Sequence, residues 1–166
     1  MLRLFAAMLF LVASAPVAFA NDAEDCVQTR DLDRQIRGCT SFINRVGGDK
    51  EGMASAYTNR ANAYSDKGDL KRALRDYNEA IRIDPTHPFA YYNRGLFYGN
   101  HGDDSSAIAD YSEAIRLKPN FGDAYKSRGA AYMHSNHMVE GAEDWAKAAQ
   151  LGVDPSDSRP QTPYGR

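Results

Sequence analysis

The sequence predicts an all-α protein built from stacked helix–turn–helix repeats, and three observations support this prediction. The stretch DYNEAIRIDP, which begins at residue 76, returns at residue 110 as DYSEAIRLKP. Aromatic, arginine, small and aspartate positions all recur with the same period of 34 residues. Apolar residues within each unit recur at the spacing of a helix. A fixed period in this range indicates two-helix units that stack on one another rather than one compact core.

Each unit contains two helical stretches. In the first, Tyr57, Ala61 and Tyr64 occupy positions i, i+4 and i+7 and therefore share one helix face. In the second, Ala73 and Tyr77 are four residues apart and therefore also share one helix face. Small residues beside large ones allow the two helices to approach closely, so the pattern predicts a packed hairpin.

The turns and ends of these helices are also marked. Gly68-Asp69 and Gly102-Asp103 each combine a residue that tolerates a left-handed conformation with a helix N-cap. Asp84-Pro85 and Lys118-Pro119 are expected to end the second helix, because proline lacks an amide donor and restricts the residue before it.

With this order of bulky and small residues, and the proline at the end of the unit, the chain resembles the tetratricopeptide repeat (TPR) family. The resemblance implies a right-handed α-solenoid with three full units, at residues 54–87, 88–121 and 122–151. A degenerate first unit or cap is expected over residues 21–53. DLDRQIRGCTSFI in this region aligns with DLKRALRDYNEAI of the first full unit at an offset of 38 rather than 34.

Residues 1–20, MLRLFAAMLFLVASAPVAFA, are predicted to be a secretory signal peptide. They combine one arginine near the start, a long apolar run and small residues before Asn21. The alternative is an uncleaved membrane anchor, but the run is short for a span and is interrupted by Ser14 and Pro16. We therefore expect an exported protein, periplasmic or secreted, with no stable membrane insertion after cleavage.

The two cysteines, Cys26 and Cys39, would both face an oxidising compartment. One disulfide is the simplest expectation, and two buried free thiols are the alternative. In the repeat alignment Cys39 takes the inward-facing place of Tyr77. A bridge would therefore fasten the N-terminal cap to the buried side of an early helix.

An arginine in the first helix of each full unit precedes an aspartate in the second helix by sixteen residues. Such charges would form either a ligand site or an ion pair inside the hairpin. We favour the ion pair, because the two helices face each other at these positions and a pair fixes their register. The pairs are Arg60 with Asp76, Arg94 with Asp110, and Arg128 with Asp144.

Catalysis, cofactors and nucleic acid have no support in the sequence. The formal net charge is −2 and no run of Lys and Arg offers a basic surface, so no nucleic-acid partner is predicted. No nucleophile elbow, phosphate loop or dinucleotide fingerprint is present, so no catalytic or cofactor-binding residue is assigned. A metal-binding or enzymatic role for His134 and His137, with Glu140, remains an alternative.

The family resemblance implies that the first helices line a concave groove that holds an extended peptide or a helix of a partner. Phe89, Tyr92 and Leu96 share one helix face and are predicted to form an exposed apolar stripe, or alternatively to pack against the neighbouring repeat. The predicted partner-binding residues are Asn62, Phe89, Tyr92, Asn93, Leu96 and Lys126. Asn62 and Asn93 match the amides of the family's carboxylate clamp, but its cationic positions are not occupied by cations.

Residues 152–166, GVDPSDSRPQTPYGR, lack apolar periodicity and are predicted to be a disordered tail. The sequence as a whole thus predicts an exported, non-enzymatic scaffold that binds a protein or peptide partner. A self-associating solenoid is the other alternative, in which the chain forms a homo-oligomer.

Overall fold

The computed structural model describes residues 22–27, 29–45 and 48–156. The predicted signal peptide, residues 1–20, and residues 157–166 of the predicted tail lie outside the described residues. Within the described ranges the chain forms helices and turns and no strand. Among these residues, no helix has both the length and the apolar character needed to cross a membrane.

Eight helices follow one another within the described ranges. The described part of α1 covers residues 22–27. The others are α2 (Leu32–Ile43), α3 (Lys50–Asp66), α4 (Leu70–Ile83), α5 (Pro88–Asn100), α6 (Asp104–Leu117), α7 (Gly122–His134) and α8 (Met138–Gln150).

The helices pair as hairpins, α3 with α4, α5 with α6 and α7 with α8, and α2 packs on α3. The first helices of successive hairpins also touch, α3 with α5 and α5 with α7. Among the described residues the second helices, α4, α6 and α8, make no contact with one another. The first helices therefore form the inner, concave row of a solenoid, and the predicted all-α repeat architecture is confirmed.

The predicted turns form as expected. Gly68 and Gly102 follow the first helix of their hairpins in the left-handed region, with φ of 78° and 79°. Asn136 takes the same place in the third hairpin with φ of 64°, because asparagine tolerates this conformation better than most residues. In each turn the following amide donates back to a tyrosine carbonyl in the last turn of the helix.

The expected ion pairs are present in all three hairpins. Arg60 donates to both oxygens of Asp76, at 2.6 and 3.1 Å, and the two later pairs repeat this bidentate geometry. The Asp76 side chain is only 1% exposed, and that of Arg60 11%. These charges lie between the two helices of a hairpin, so the interpretation as an internal ion pair is confirmed.

Each of these arginines also bonds to the second helix of the preceding unit. The third guanidinium nitrogen of Arg60 donates to the Thr40 hydroxyl at 3.0 Å. One side chain therefore joins both helices of its own hairpin and one helix of the hairpin before. The corresponding acceptors are Asn78 for Arg94, at 2.6 Å, and Ser112 for Arg128, at 3.0 Å.

The repeated tyrosines flank these arginines. The guanidinium of Arg60 lies 5.2 Å from the ring centre of Tyr57 and 6.0 Å from that of Tyr64. The two later units have the same arrangement, with distances of 5.6 to 5.9 Å. The recurring Tyr-x-x-Arg-x-x-x-Tyr pattern thus stabilises a buried cation within the scaffold.

The N-terminal cap contains a disulfide between Cys26 and Cys39, which joins α1 to α2. Both cysteines are buried, as the inward-facing position of Cys39 predicts. Asp49 caps α3, and this helix starts at Lys50, four residues before the predicted boundary of the first full unit at residue 54.

The predicted tail also begins later than expected. Gly152 ends α8 with φ of 82°, and the Val153 amide donates to the Ala148 carbonyl. The Val153 side chain packs where a Cβ on Gly122 would otherwise lie. Residues 152 and 153 therefore pack on the third hairpin, and disorder of the tail stays a prediction for the residues that follow.

Candidate functional site

The concave row of first helices contains a cavity between the second and third hairpins. Its volume is about 190 Å³. It combines one apolar wall with several polar groups, so it can take up a side chain that is both long and polar at its end. Its lining includes Leu96, Asn100, Asp104, Tyr111, Ser127 and His134.

Another cavity, of about 160 Å³, lies at the N-terminal end of this row, between α1, α2 and α3. Ala23, Cys26 and Val27 of α1 form one wall, Phe42 of α2 another, and Ala56 of α3 the floor. Ser55 and Asn59 are its polar lining residues. Its interior is therefore mostly apolar.

Tyr92 is not part of an exposed stripe, and this expectation is wrong. The residue is only 3% exposed, because its ring packs 4.8 Å from Phe121 and 5.9 Å from Tyr111 of the next helices. Phe89 is half-buried, with its ring 5.2 Å from Phe121. For these two residues the structure shows the alternative, packing against the neighbouring repeat.

The two predicted asparagines have structural partners. The Asn62 side-chain oxygen accepts a hydrogen bond of 2.6 Å from the Tyr77 hydroxyl. Asn93 is buried, and its amide donates to the Phe89 carbonyl at 2.7 Å. Since Asn93 already bonds to its own helix, its geometry differs from that of an amide presented to a ligand.

Leu96 and Lys126 both lie half-buried on the inner row. Leu96 lines the cavity between the second and third hairpins. The Lys126 carbonyl accepts a hydrogen bond from the Trp145 indole at 3.2 Å. Among the six predicted residues, Leu96 lines one of the two cavities described above, and the partner-binding role of all six stays a prediction.

Buried tyrosine hydroxyls point toward the inner face. Burial raises the pKa of Tyr92 to about 12, and the nearby Asp123 carboxylate contributes in the same direction. Burial likewise raises the pKa of Tyr77, with a smaller contribution from Asp66. These hydroxyls therefore stay protonated and serve as hydrogen-bond donors near the carboxylates of the groove.

The Tyr111 hydroxyl belongs to the same set and lines the cavity itself. Burial is the main cause that raises the pKa of Tyr111, and the Asp104 carboxylate is one of the smaller ones. Ser127 hydrogen-bonds to this hydroxyl and partly offsets the rise in pKa. Tyr111, Ser127 and Asp104 thus place two hydroxyls and a carboxylate together at one cavity.

The histidine turn does not form a three-ligand cluster. The His134 side chain is 74% exposed, and its Nδ1 lies 3.8 Å from an Asp104 oxygen. The ring of His137 lies 6.1 Å from that of Tyr132. Within the part of the chain that the structure describes, no three His, Cys, Asp or Glu residues are grouped as metal ligands would be.

The sequence reasoning missed Asp104, and it considered Ser127 only as one of the carboxylate-clamp positions that carry no cation. Asp104 corresponds to Leu70 and Met138 in the other hairpins, so this position differs between copies. Aligning the units at the period of 34 residues therefore marks position 104 as one that differs between repeats, and such positions are candidates for function.

His87, in the turn before α5, is a buried titratable group at the inner end of the first two hairpins. It is 8% exposed, and its Nε2 lies 3.4 Å from the Ser55 hydroxyl. Burial lowers the pKa of His87, although the carboxylates of Asp84 and Glu51 act in the opposite direction. The unfolded chain therefore binds a proton at a higher pH than the folded chain does.

We expect this difference to make stability depend on pH. The contribution of neutral His87 is complete above the unfolded pKa, about 6.5, and is lost as the pH falls from there toward the folded pKa. Urea unfolding at pH 7.5 and 5.5 measures the loss, and His87→Gln, which does not titrate, should show a smaller one. An equal loss in both proteins would contradict the assignment to His87.

The comparisons with known proteins agree with this geometry. The family model described as "TPR repeat" matches residues 61–102, and that described as "Tetratricopeptide repeat" matches residues 88–121. No curated protein is significantly similar to the chain in sequence. With the repeated hairpins and the concave inner row, the two matches define a helical repeat protein. Residues 61–121 of the chain thus match tetratricopeptide repeats, and the fold is that of a tetratricopeptide-repeat protein.

Several solved structures share the fold. A crystal structure of MamA is 27% identical, with a TM-score of 0.63, over 73% of this chain and 68% of that chain. The second TPR of Spaghetti (RPAP3), bound to the HSP90 peptide SRMEEVD, is 24% identical, with a TM-score of 0.57, over 59% and 91%. The Arabidopsis OM64 TPR domain is 22% identical, with a TM-score of 0.59, over 66% and 88%.

Proposed function

We propose that the protein is an exported, non-enzymatic scaffold that holds an extended segment of a protein partner in the groove formed by α3, α5 and α7. The observation that carries this proposal is the cavity of about 190 Å³ between the second and third hairpins. A concave site with an apolar wall and a few convergent polar groups is the usual form of a binding site.

The solved structures support this use of the fold. Both the first and the second TPR of Spaghetti (RPAP3) were determined with the HSP90 peptide SRMEEVD bound. Their likeness to this chain is one of fold, so the identity of the partner is not transferred with it. A concave row of first helices in the same fold offers an extended peptide the same kind of surface.

Export is supported by two features of the N-terminal region. Residues 1–20 have the charge, apolar length and small residues of a signal peptide. Cys26 and Cys39 form a disulfide, which persists in an oxidising compartment.

Site-specific photo-crosslinking tests the groove. A photoreactive amino acid replaces Leu96 on the inner row or, as the matched control, exposed Ala109 on the outer helix α6. We expect a cross-linked partner from position 96 and none from position 109. Cross-links of equal yield at both positions, or at position 109 alone, would contradict the proposed groove.

Self-association is the second candidate, and one observation favours it. Met138 and Val139 at the start of the last hairpin helix are 56% and 69% exposed. Large apolar side chains on the end of a solenoid are suited to contact another protein surface. A particle mass that rises with protein concentration, in light scattering of the purified chain, distinguishes this candidate from a monomeric scaffold.

A further inference from the structure

We propose that the groove recognises an extended segment in which an apolar side chain and a basic side chain are separated by about six residues. This inference rests on the proposed function and specifies the chemistry of the partner. It follows from the different character of the two cavities at the ends of the inner row and from the distance between them.

The first cavity, between α1, α2 and α3, suits an apolar side chain. Its walls are formed mainly by Val27, Phe42 and Ala56. Its volume of about 160 Å³ accommodates an aliphatic or aromatic side chain of leucine or phenylalanine size. An apolar side chain that leaves water for such walls gains affinity in proportion to the area buried.

One wall of this first cavity depends on the disulfide. Ala23, Cys26 and Val27 all belong to α1, and the bond from Cys26 to Cys39 ties this short helix to α2. Reduction of the bond would therefore loosen one wall without touching the other end of the groove.

The second cavity, between α5 and α7, suits a basic side chain. Asp104 supplies a carboxylate, while Asn100 and the hydroxyls of Tyr111 and Ser127 supply further oxygens. Oxygen acceptors grouped around one carboxylate match the several donors of a guanidinium or ammonium group. The His134 ring lies at the rim, 3.8 Å from Asp104.

The other charged side chains of the inner row carry both signs. Asp66 is the last residue of α3, and Asp123 lies in the first turn of α7. Cations are present as well, because Lys126 lies on α7 and the Lys118 ammonium lies 4.7 Å from the ring centre of Phe89 on α5. It is therefore the Asp104 carboxylate, in the lining of the second cavity, that makes a basic side chain electrostatically complementary there, in contrast to the acidic peptide SRMEEVD bound by the RPAP3 domains.

The separation follows from helix packing. Neighbouring packed helices are about 8–10 Å apart, so the two steps from α3 through α5 to α7 cover about 16–20 Å across the row. The second cavity also lies about eight positions further along the helices, or about 12 Å, so the direct distance is about 20 Å or slightly more. An extended chain advances about 3.3 Å per residue, so about six residues connect the two cavities.

The test is an amide NMR titration of the full chain, purified with its disulfide intact. The probe is a blocked seven-residue peptide with leucine first and arginine last, joined by five serine and glycine residues. We expect shifts at residues that line both cavities. Replacing the arginine by glutamate, or the leucine by serine, should each weaken binding at least about fivefold.

Two protein variants test which cavity binds the arginine at the end of the peptide. Asp104→Asn should remove the preference for arginine over glutamine at the last position, whereas Glu143→Gln on the exposed face of α8 should leave it unchanged. Reduction of the disulfide should weaken the leucine peptide about as much as its serine substitution does, and should leave the arginine preference intact.

Specific outcomes overturn the inference. They are no saturable shift at about 2 mM peptide, equal binding of the arginine and glutamate peptides, or shifts confined to one cavity. Binding that appears only after Arg159→Glu and Arg166→Glu would show that residues 157–166 of the chain occupy the groove instead. Shifts that depend on protein concentration alone would identify a second copy as the occupant. If any of these outcomes is found but a partner still cross-links at position 96, the inference about the peptide sequence is wrong and the proposed scaffold function is retained.

Discussion

Replacing Asp76 by alanine is expected to lower the free energy of unfolding by about 3–5 kcal/mol. The side chain is 1% exposed and accepts two hydrogen bonds from Arg60. Without it, the arginine remains buried between two helices with no carboxylate to balance its charge. The third bond of Arg60, to Thr40, supplies only a hydroxyl, so the first hairpin and its contact with the N-terminal cap are both weakened.

Glu79→Ala provides the matched control for this variant. Glu79 lies in the same helix and also accepts two bonds from an arginine, Arg82, but the arginine side chain of this pair is 70% exposed. Pairs in water contribute between about 0 and 1 kcal/mol, so the control should lose little stability. Urea unfolding followed by circular dichroism measures both variants.

A double variant distinguishes two causes of the lost stability: loss of the attraction between Arg60 and Asp76, and burial of the Arg60 charge without a partner. Arg60→Met together with Asp76→Leu removes both charges and fills their volume, so it should recover most of the stability that Asp76→Ala loses. A loss in Asp76→Ala no larger than that in Glu79→Ala would contradict the role assigned to the buried pair.

The scaffold was predictable because its determinants are local and repeated. Gly68, Gly102 and the prolines after α4 and α6 act on their own segment of chain, so their effect can be inferred without knowledge of the rest. The pairing of Arg60 with Asp76 is also local, since it follows from two helices folded back on each other across a short turn. Repetition then supplied independent confirmation of each assignment.

The surface between repeats was harder to predict. The spacing of Phe89, Tyr92 and Leu96 identifies one helix face, but it does not say how deeply the next hairpin covers that face. Phe121, far along the chain, packs on Phe89 and Tyr92 and leaves Leu96 at the cavity. Exposure of a residue in a solenoid is thus set by the tilt between hairpins, which depends on side-chain volumes in both.

Asp104 illustrates the same limit of prediction from sequence, since it is a groove residue that the repeat pattern did not indicate. As the first residue of an outer helix it was not expected on the inner face, yet it lines the cavity between α5 and α7. Positions near the turns belong to both rows of helices, because the chain crosses from one row to the other there. Residues that differ between repeats at these crossings are therefore candidates for specificity.

Replacing Gly129 by alanine is the second variant with a large expected effect. A Cβ at this position would lie 2.4 Å from Cδ1 of Trp145 and 2.9 Å from the carbonyl oxygen of Gly141. The backbones of α7 and α8 thus approach closely, and the added methyl group must push the helices apart. Overpacking of this kind costs about 1–3 kcal/mol, which exceeds the gain of about 0.5–1 kcal/mol from alanine in a helix.

Trp145 provides a local readout for this variant because it is the single tryptophan of the chain. Its indole donates to the Lys126 carbonyl at 3.2 Å, so separation of α7 from α8 should shift its fluorescence emission as well as lower the urea midpoint. Gly99→Ala is the control, since a Cβ there meets its nearest atoms at 3.6 and 3.7 Å, which is ordinary contact. We expect that variant to be as stable as the natural chain or slightly more so. Equal behaviour of the two alanine variants would contradict close backbone packing at Gly129.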